Sequence, residues 1–178
     1  MKPKAQSPFR VNLHELPRRA GEMRPYRLQF ELEEAIGTPM LAIKKGESIL
    51  IEFKAESVSD GVLISGRVKS EAKGECGRCL DELKREVDEE FRELFLYESR
   101  KSEDDEEDEL FALDGDIADI ETAIRDAVVL TMPINPLCKA DCKGLCSECG
   151  ERWEKLAPDH SHEKIDPRWS GLAGWQPK

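Results

Sequence analysis

SILIEFKAESVSDGVLISGRVKSEAK, residues 48–73, decides the fold. Ile49, Ile51, Phe53 and Ala55 alternate with more polar neighbours, the period-two pattern of a half-buried strand. Val62, Ile64, Gly66 and Val68 repeat that alternation after Ser59-Asp60-Gly61. Two such runs around an Asp-Gly turn predict an antiparallel hairpin.

On the C-terminal side, CGRCL (76–80) leads into LDELKREVDEEFRELFLYE. Leu83, Val87, Phe91 and Leu94 would suit a helix, whereas Leu83, Val87, Phe91 and Phe95 fall on alternate positions with charges between them. A strand folded back across a tight cysteine turn is the simpler topology, and we read a strand. On the N-terminal side a first strand is expected near Tyr26–Leu32. It follows a basic stretch with a short apolar alternation that breaks at Pro17 and Gly21.

KSEDDEEDE is almost pure acid and reads as a solvated loop, because it offers too little apolar surface to offset ordering entropy. DIADIETAIRDAVVLTMP then places Ile117, Ile120, Ile124, Ala127 and Val128 on one face and ends at Pro133. This predicts an amphipathic helix laid on the sheet. The expected fold is α+β, a mainly antiparallel sheet covered by that helix, with a C-terminal zinc-ribbon-like module. Its parts are a basic N-terminal arm (1–28), a core with an acidic loop at 99–109 (29–137), and a Cys/His module with a Trp-containing tail (138–178).

Net charge is −11 over 178 residues, unevenly spread. Residues 1–28 hold seven Lys/Arg against two Asp/Glu, residues 138–178 hold seven of each, and residues 29–137 carry −16. That does not suit a protein that coats RNA uniformly, which needs clustered cations. A basic arm could touch RNA locally through Lys2, Lys4, Arg10, Arg18, Arg19, Arg24 and Arg27, and ordinary surface charge explains the same residues. The acidic middle better suits a basic protein partner, such as a ribosomal protein.

The chain holds six cysteines, Cys76, Cys79, Cys138, Cys142, Cys146 and Cys149. MKPKAQSPFRVN lacks the apolar centre of a secretory signal, which leads us to expect a reducing cytoplasm, where CxxC pairs signal metal or redox chemistry. His160 and His162 raise the donor count to eight, enough for two four-coordinate zinc sites. One partition joins Cys76, Cys79, Cys138 and Cys142, leaving Cys146, Cys149, His160 and His162 as a ribbon. A second uses Cys138, Cys142, Cys146 and Cys149, with the upstream pair free or redox-active. A third joins the two CxxC turns. The first wastes no ligand and is preferred.

The zinc is expected to be structural, since neither an HExxH nor an H-x-E…PCxxC pattern is present. No GxSxG or phosphate loop occurs, and the lone His14 reads as a surface residue, so no enzyme is expected. In the tail, Trp169, Leu172 and Trp175 lie near helical spacing, with Asp166 as cap and Pro167 at the first position. They read as packing residues before RNA-stacking ones.

CGRCL, then PINPLC (133–138), DCKGLCSECG (141–150) and DPRW (166–169), resemble the YceD family of large ribosomal RNA subunit accumulation proteins. The resemblance implies a bacterial cytoplasmic factor supporting accumulation or processing of large-subunit ribosomal RNA, with genes that commonly neighbour that of a large-subunit ribosomal protein. No catalytic residues carry over; the six cysteines do, as ligands. Many relatives have CxC where this chain has His160-Ser161-His162, a change that keeps ligand chemistry and supports the ribbon partition. Some relatives lack the GLCxxCG pair yet keep CxRC, which implies that the first site stands independently. A rival from another class is a redox-responsive zinc switch, in which oxidised thiolates eject the metal.

Overall fold

The computed structural model describes residues 7–97, 111–162 and 168. The expected hairpin is present: β5 (Ser48–Ser57) pairs antiparallel with β6 (Gly61–Glu75), from Leu50↔Lys69 to Ser57↔Val62. Ile49, Ile51, Phe53 and Ala55 of β5 and Val62, Ile64, Val68 and Ala72 of β6 are buried, so the alternation reports one face in the core. Each large side chain removed from water there contributes about 1.5–3 kcal/mol.

The segment after the cysteine turn is a strand. β7 (Glu82–Leu96) pairs with β6 along its whole length, from Gly61↔Leu96 to Glu75↔Glu82. Val87, Phe91 and Phe95 are buried, and the helical alternative fails because Leu94 points outward and is exposed. β6 is therefore the central strand. Its other edge is shared by β5 and, nearer the cysteine turn, by β4 (Leu41–Ile43), which pairs with the short β3 (Ile36–Gly37). β2 (Met23–Glu31) closes the far side against β5, with Tyr26 stacked on Phe53 at 5.2 Å. Glycines permit two close approaches on β6. A Cβ at Gly66 would lie 2.3 Å from the Glu52 carbonyl oxygen, and one at Gly74 would lie 1.9 Å from that of Met40.

Two expectations need correction. From Phe9 onward the expected extended basic arm is built into the fold: β1 (Arg10–Asn12) pairs with β8 (Ile117–Asp119), and Phe9, Val11, Leu13 and Leu16 are buried. The alternation at Phe9, Val11 and Leu13 was strand pattern, and Phe9 meets Phe30 edge-on at 4.9 Å. The helix is also shorter than its periodicity suggested. Ile117 belongs to β8 and Ile120 sits at the N-cap, so α1 runs only over Glu121–Thr131. It buries Ala123, Ile124 and Val128 against the sheet, while Leu130 stays 83% exposed. Pairing with β1 gives the backbone of 117–119 hydrogen bonds that a helical turn would otherwise have supplied.

No helix among the described residues is long and apolar enough to cross a membrane. Lys2, Lys4, the acidic stretch 99–109, and the tail's Asp166, Pro167, Trp169, Leu172 and Trp175 lie outside the described residues.

Candidate metal centres

The hairpin of β6 and β7 ends in Cys76–Asp81, and this turn positions the first cysteine pair. The Cys76 N–H donates to the Asp81 carbonyl at 2.8 Å and the Leu80 N–H to the Cys76 carbonyl at 2.9 Å. Cys146–Glu151 repeats the turn: the Cys146 N–H donates to the Glu151 carbonyl at 2.7 Å and the Gly150 N–H to the Cys146 carbonyl at 2.9 Å. Both have the pattern Cys-x-x-Cys-x-acid, CGRCLD and CSECGE. Leu80 and Gly150 both sit at positive φ, 61° and 73°. Such turns aim two thiols in one direction and surround them with backbone N–H groups.

The structure brings the eight donors into two groups. Cys76, Cys79, Cys138 and Cys142 form one and Cys146, Cys149, His160 and His162 the other, the donor atoms of each lying within 4.8 Å of one another. In the first, Cys76 Sγ is 3.8 Å from Cys142 Sγ and Cys79 Sγ is 3.6 Å from Cys138 Sγ. These separations are far longer than the ~2.05 Å of a disulfide. They match the edge of about 3.8 Å in a tetrahedron with metal–sulfur bonds of about 2.3 Å. In the second, Cys146 Sγ lies 3.4 Å from His162 Nε2 and Cys149 Sγ 3.6 Å from His160 Nε2. The corresponding sulfur–nitrogen edge is about 3.6 Å. Both clusters could hold metal ions, and the donor sets fit four-coordination.

Electrostatics points the same way. Burial pushes the Cys76 thiol up, but N–H groups of Cys138, Cys79 and Arg78 outweigh it and bring it down to about 6. Burial and the neighbouring sulfurs of Cys76, Cys138 and Cys142 push Cys79 up to about 12. Cys138 is also raised: its hydrogen bond with Cys79 favours the thiolate, but burial and the sulfurs of Cys142 and Cys76 prevail. In the second cluster, N–H groups of Cys149 and Glu148 lower Cys146 to about 6 against burial. In the first cluster one thiolate forms readily at Cys76, and the neighbouring sulfurs oppose ionisation of Cys79 and Cys138 unless a cation shares the site.

The clusters differ in burial. Cys76, Cys79 and Cys142 are buried and pack with Leu83, Leu137 and Leu145, leaving Cys138 exposed. In the second only Cys146 is buried; Cys149 and His162 are exposed and His160 is half-buried beside Trp153. A cavity of about 260 Å³ lined in part by Cys79, Cys138 and Cys142 adjoins the first cluster.

A joint between the clusters was not anticipated from sequence. Arg78 Nη1 donates to the Cys142 carbonyl at 2.8 Å, and the Arg78 carbonyl accepts the Leu145 N–H at 3.1 Å. Arg152 pairs with Asp81, and Lys139 with Glu154. The repeated Cys-x-x-Cys-x-acid hexapeptide was the available signal; that the two turns lie side by side was not in it.

The arginines named as RNA contacts are spread along the N-terminal strands and mostly paired. Arg10 meets Asp114 at 2.7 Å, Arg18 meets Asp116 at 2.6 Å, Arg24 pairs with Glu15, and Arg27 lies 3.7 Å from Glu52. Arg18 also lies over the Tyr97 ring at 5.1 Å. Arg19 is exposed and makes no ion pair among the described residues.

The fold and clusters define a mainly antiparallel β protein with two sets of potential metal ligands at the tip of its longest hairpin. The chain belongs to the YceD family: the family model described as large ribosomal RNA subunit accumulation protein YceD matches residues 64–175. An uncharacterized protein of Mycobacterium tuberculosis is 39% identical over 173 residues, covering 93% of this chain and 80% of that protein. One from Mycobacterium leprae is 36% identical over 168 residues, covering 93% and 76%. The uncharacterized protein YlbN of Bacillus subtilis is 21% identical over 166 residues, covering 90% of each chain. No solved structure matches.

Proposed function

We propose that this protein is a noncatalytic, zinc-binding factor that supports accumulation or processing of large-subunit ribosomal RNA during ribosome assembly. The observation that carries the reading is the family match over 64–175, a span that contains all eight clustered donors. Cysteine-rich, tetrahedrally spaced donors favour zinc over harder cations such as magnesium or calcium. Zinc here is structural: it would tie the hairpin tip to the segment after α1 and close the C-terminal turn on His160 and His162.

The direct contact is with a basic ribosomal protein, with RNA a further or alternative partner. Four of the five candidate arginines already face carboxylates of this chain, and net charge is −11. Both features favour a cationic partner. A ribosomal role places the work in the cytoplasm.

Depletion of the protein in its own cells is the test. Large-subunit ribosomal RNA should fall relative to small-subunit RNA, and re-expression should restore it. An unchanged ratio overturns the proposal. Binding of the purified chain to isolated large-subunit proteins and to ribosomal RNA, each across a salt series, identifies the direct partner.

A further inference from the structure

We propose that Cys146 and Cys149 are an oxidisable latch: peroxide converts them to a disulfide, zinc leaves, and the His160–His162 segment comes free while the hairpin-tip cluster stays cross-linked. The inference rests on the zinc-bound state proposed above.

The two clusters answer oxidation differently because of where their sulfurs lie along the chain. In the first cluster the two sulfurs of the Cys76–Cys79 turn also contact each other, but each has a close partner on a distant segment, Cys142 at 3.8 Å from Cys76 and Cys138 at 3.6 Å from Cys79. A disulfide formed along either contact still ties the hairpin tip to the segment after α1. In the second cluster both sulfurs belong to one turn, and the distant segment is held only through His160 and His162. Its one internal disulfide spans nothing beyond that turn.

Ligand arithmetic adds to this. One two-electron oxidation removes both thiolate ligands of the second cluster and leaves two imidazoles, too few to retain the ion. Exposure favours the same site, for Cys149 and His162 are open to solvent while three of the four residues of the first cluster are buried. The Cys149 thiolate attacks a peroxide oxygen, the O–O bond breaks, and hydroxide leaves to give a sulfenic acid. The Cys146 thiolate then attacks that sulfur, the S–S bond forms, and a second hydroxide leaves. Each sulfur gives up one electron, the peroxide takes two, and two protons convert the hydroxides to water. The donor atoms of this cluster lie within 4.8 Å of one another, so the step needs only local movement.

The test uses the full chain, reduced and loaded with zinc, titrated with hydrogen peroxide. Released zinc is read with a chelating dye, disulfides by peptide mass mapping, and loosening by the rate of tryptic cleavage after Lys155. The first equivalent should release one zinc, yield the Cys146–Cys149 disulfide, and speed that cleavage at least tenfold. In C146S/C149S this first step should vanish. If the first disulfide forms among Cys76, Cys79, Cys138 and Cys142, or both ions leave together, the latch is overturned while the metal reading stands. If the reduced chain takes up no zinc, both fall.

Discussion

Leu80 and Gly150 hold the same position in two copies of one turn, at φ 61° and 73°. Each donates its N–H to the carbonyl of the first cysteine of its turn, Cys76 or Cys146. The position demands a left-handed backbone, which glycine adopts freely and leucine at a cost of roughly 1–2 kcal/mol. Leu80 is 58% exposed, so replacing it forfeits little burial. We therefore expect Leu80→Gly to raise stability by up to about 1 kcal/mol, the gain reduced by the extra freedom of glycine in the unfolded chain. Gly150→Leu should cost about as much in the second cluster. Thermal melts of the zinc-loaded proteins read both, and a destabilised Leu80→Gly would contradict the assignment.

Zinc content separates the two clusters. The parent should carry two ions per chain, and Cys76→Ser/Cys79→Ser and Cys146→Ser/Cys149→Ser one each. Loss from the buried first cluster should lower stability more, because it releases the hairpin tip from Cys138 and Cys142 and exposes Leu83, Leu137 and Leu145. Atomic absorption and melting curves on the same samples read this. A single ion lost only with the Cys146/Cys149 pair would favour the local four-cysteine site.

Arg78 ligates nothing, yet it anchors Cys142 through a 2.8 Å hydrogen bond and stands against Gly144. Removing such a support typically costs 10–100-fold in metal affinity. Arg78→Ala should weaken zinc retention in the first cluster by about that factor in a chelator competition. Unchanged affinity would make the contact incidental.

Asp116 gives the N-terminal segment a pH dependence. Hydrogen bonds from Arg18 and His14 hold its carboxyl below the usual range. A depressed carboxylate contributes stability above its unfolded-state pKa and loses it as pH falls through the folded value. Asp116→Asn should therefore be less stable than the parent near pH 7, with the difference shrinking toward zero in acid. Acid-driven loss of zinc is common to both chains and cancels in the comparison. A difference that persists undiminished in acid would exclude the ionised Asp116 as its source.

Gly66→Ala tests the packing of the central strand. The new Cβ would lie 2.3 Å from the Glu52 carbonyl oxygen and 2.4 Å from Phe53 Cβ, both fixed by pairing within the sheet. Overpacking of this kind costs about 1–3 kcal/mol. Gly77→Ala should cost less, since it meets the end of the Asn135 side chain, which can rotate away. Equal losses in urea titrations would show that the strands yield.

By itself the sequence determined the strands around residues 48–73 and the identity and number of the thiol and imidazole donors. Period-two burial and ligand chemistry are properties of neighbouring residues, so they are legible locally. The helix was legible only in part, because the apolar spacing of Ile117, Ile120 and Ile124 suits a strand entering a helix as well as one longer helix. Tertiary structure decided the rest. Residues 9–16 became core because β8 offered β1 a partner, and Arg10, Arg18 and Arg24, still exposed, pair with carboxylates that lie far along the chain or across a turn. It also decided which donors meet. Cys76 and Cys142 are 66 residues apart; the pairing of β6 with β7 forms the hairpin tip, hydrogen bonds from Gly77 to Pro136 and from Arg78 to Cys142 hold it on the segment after α1, and their sulfurs lie 3.8 Å apart.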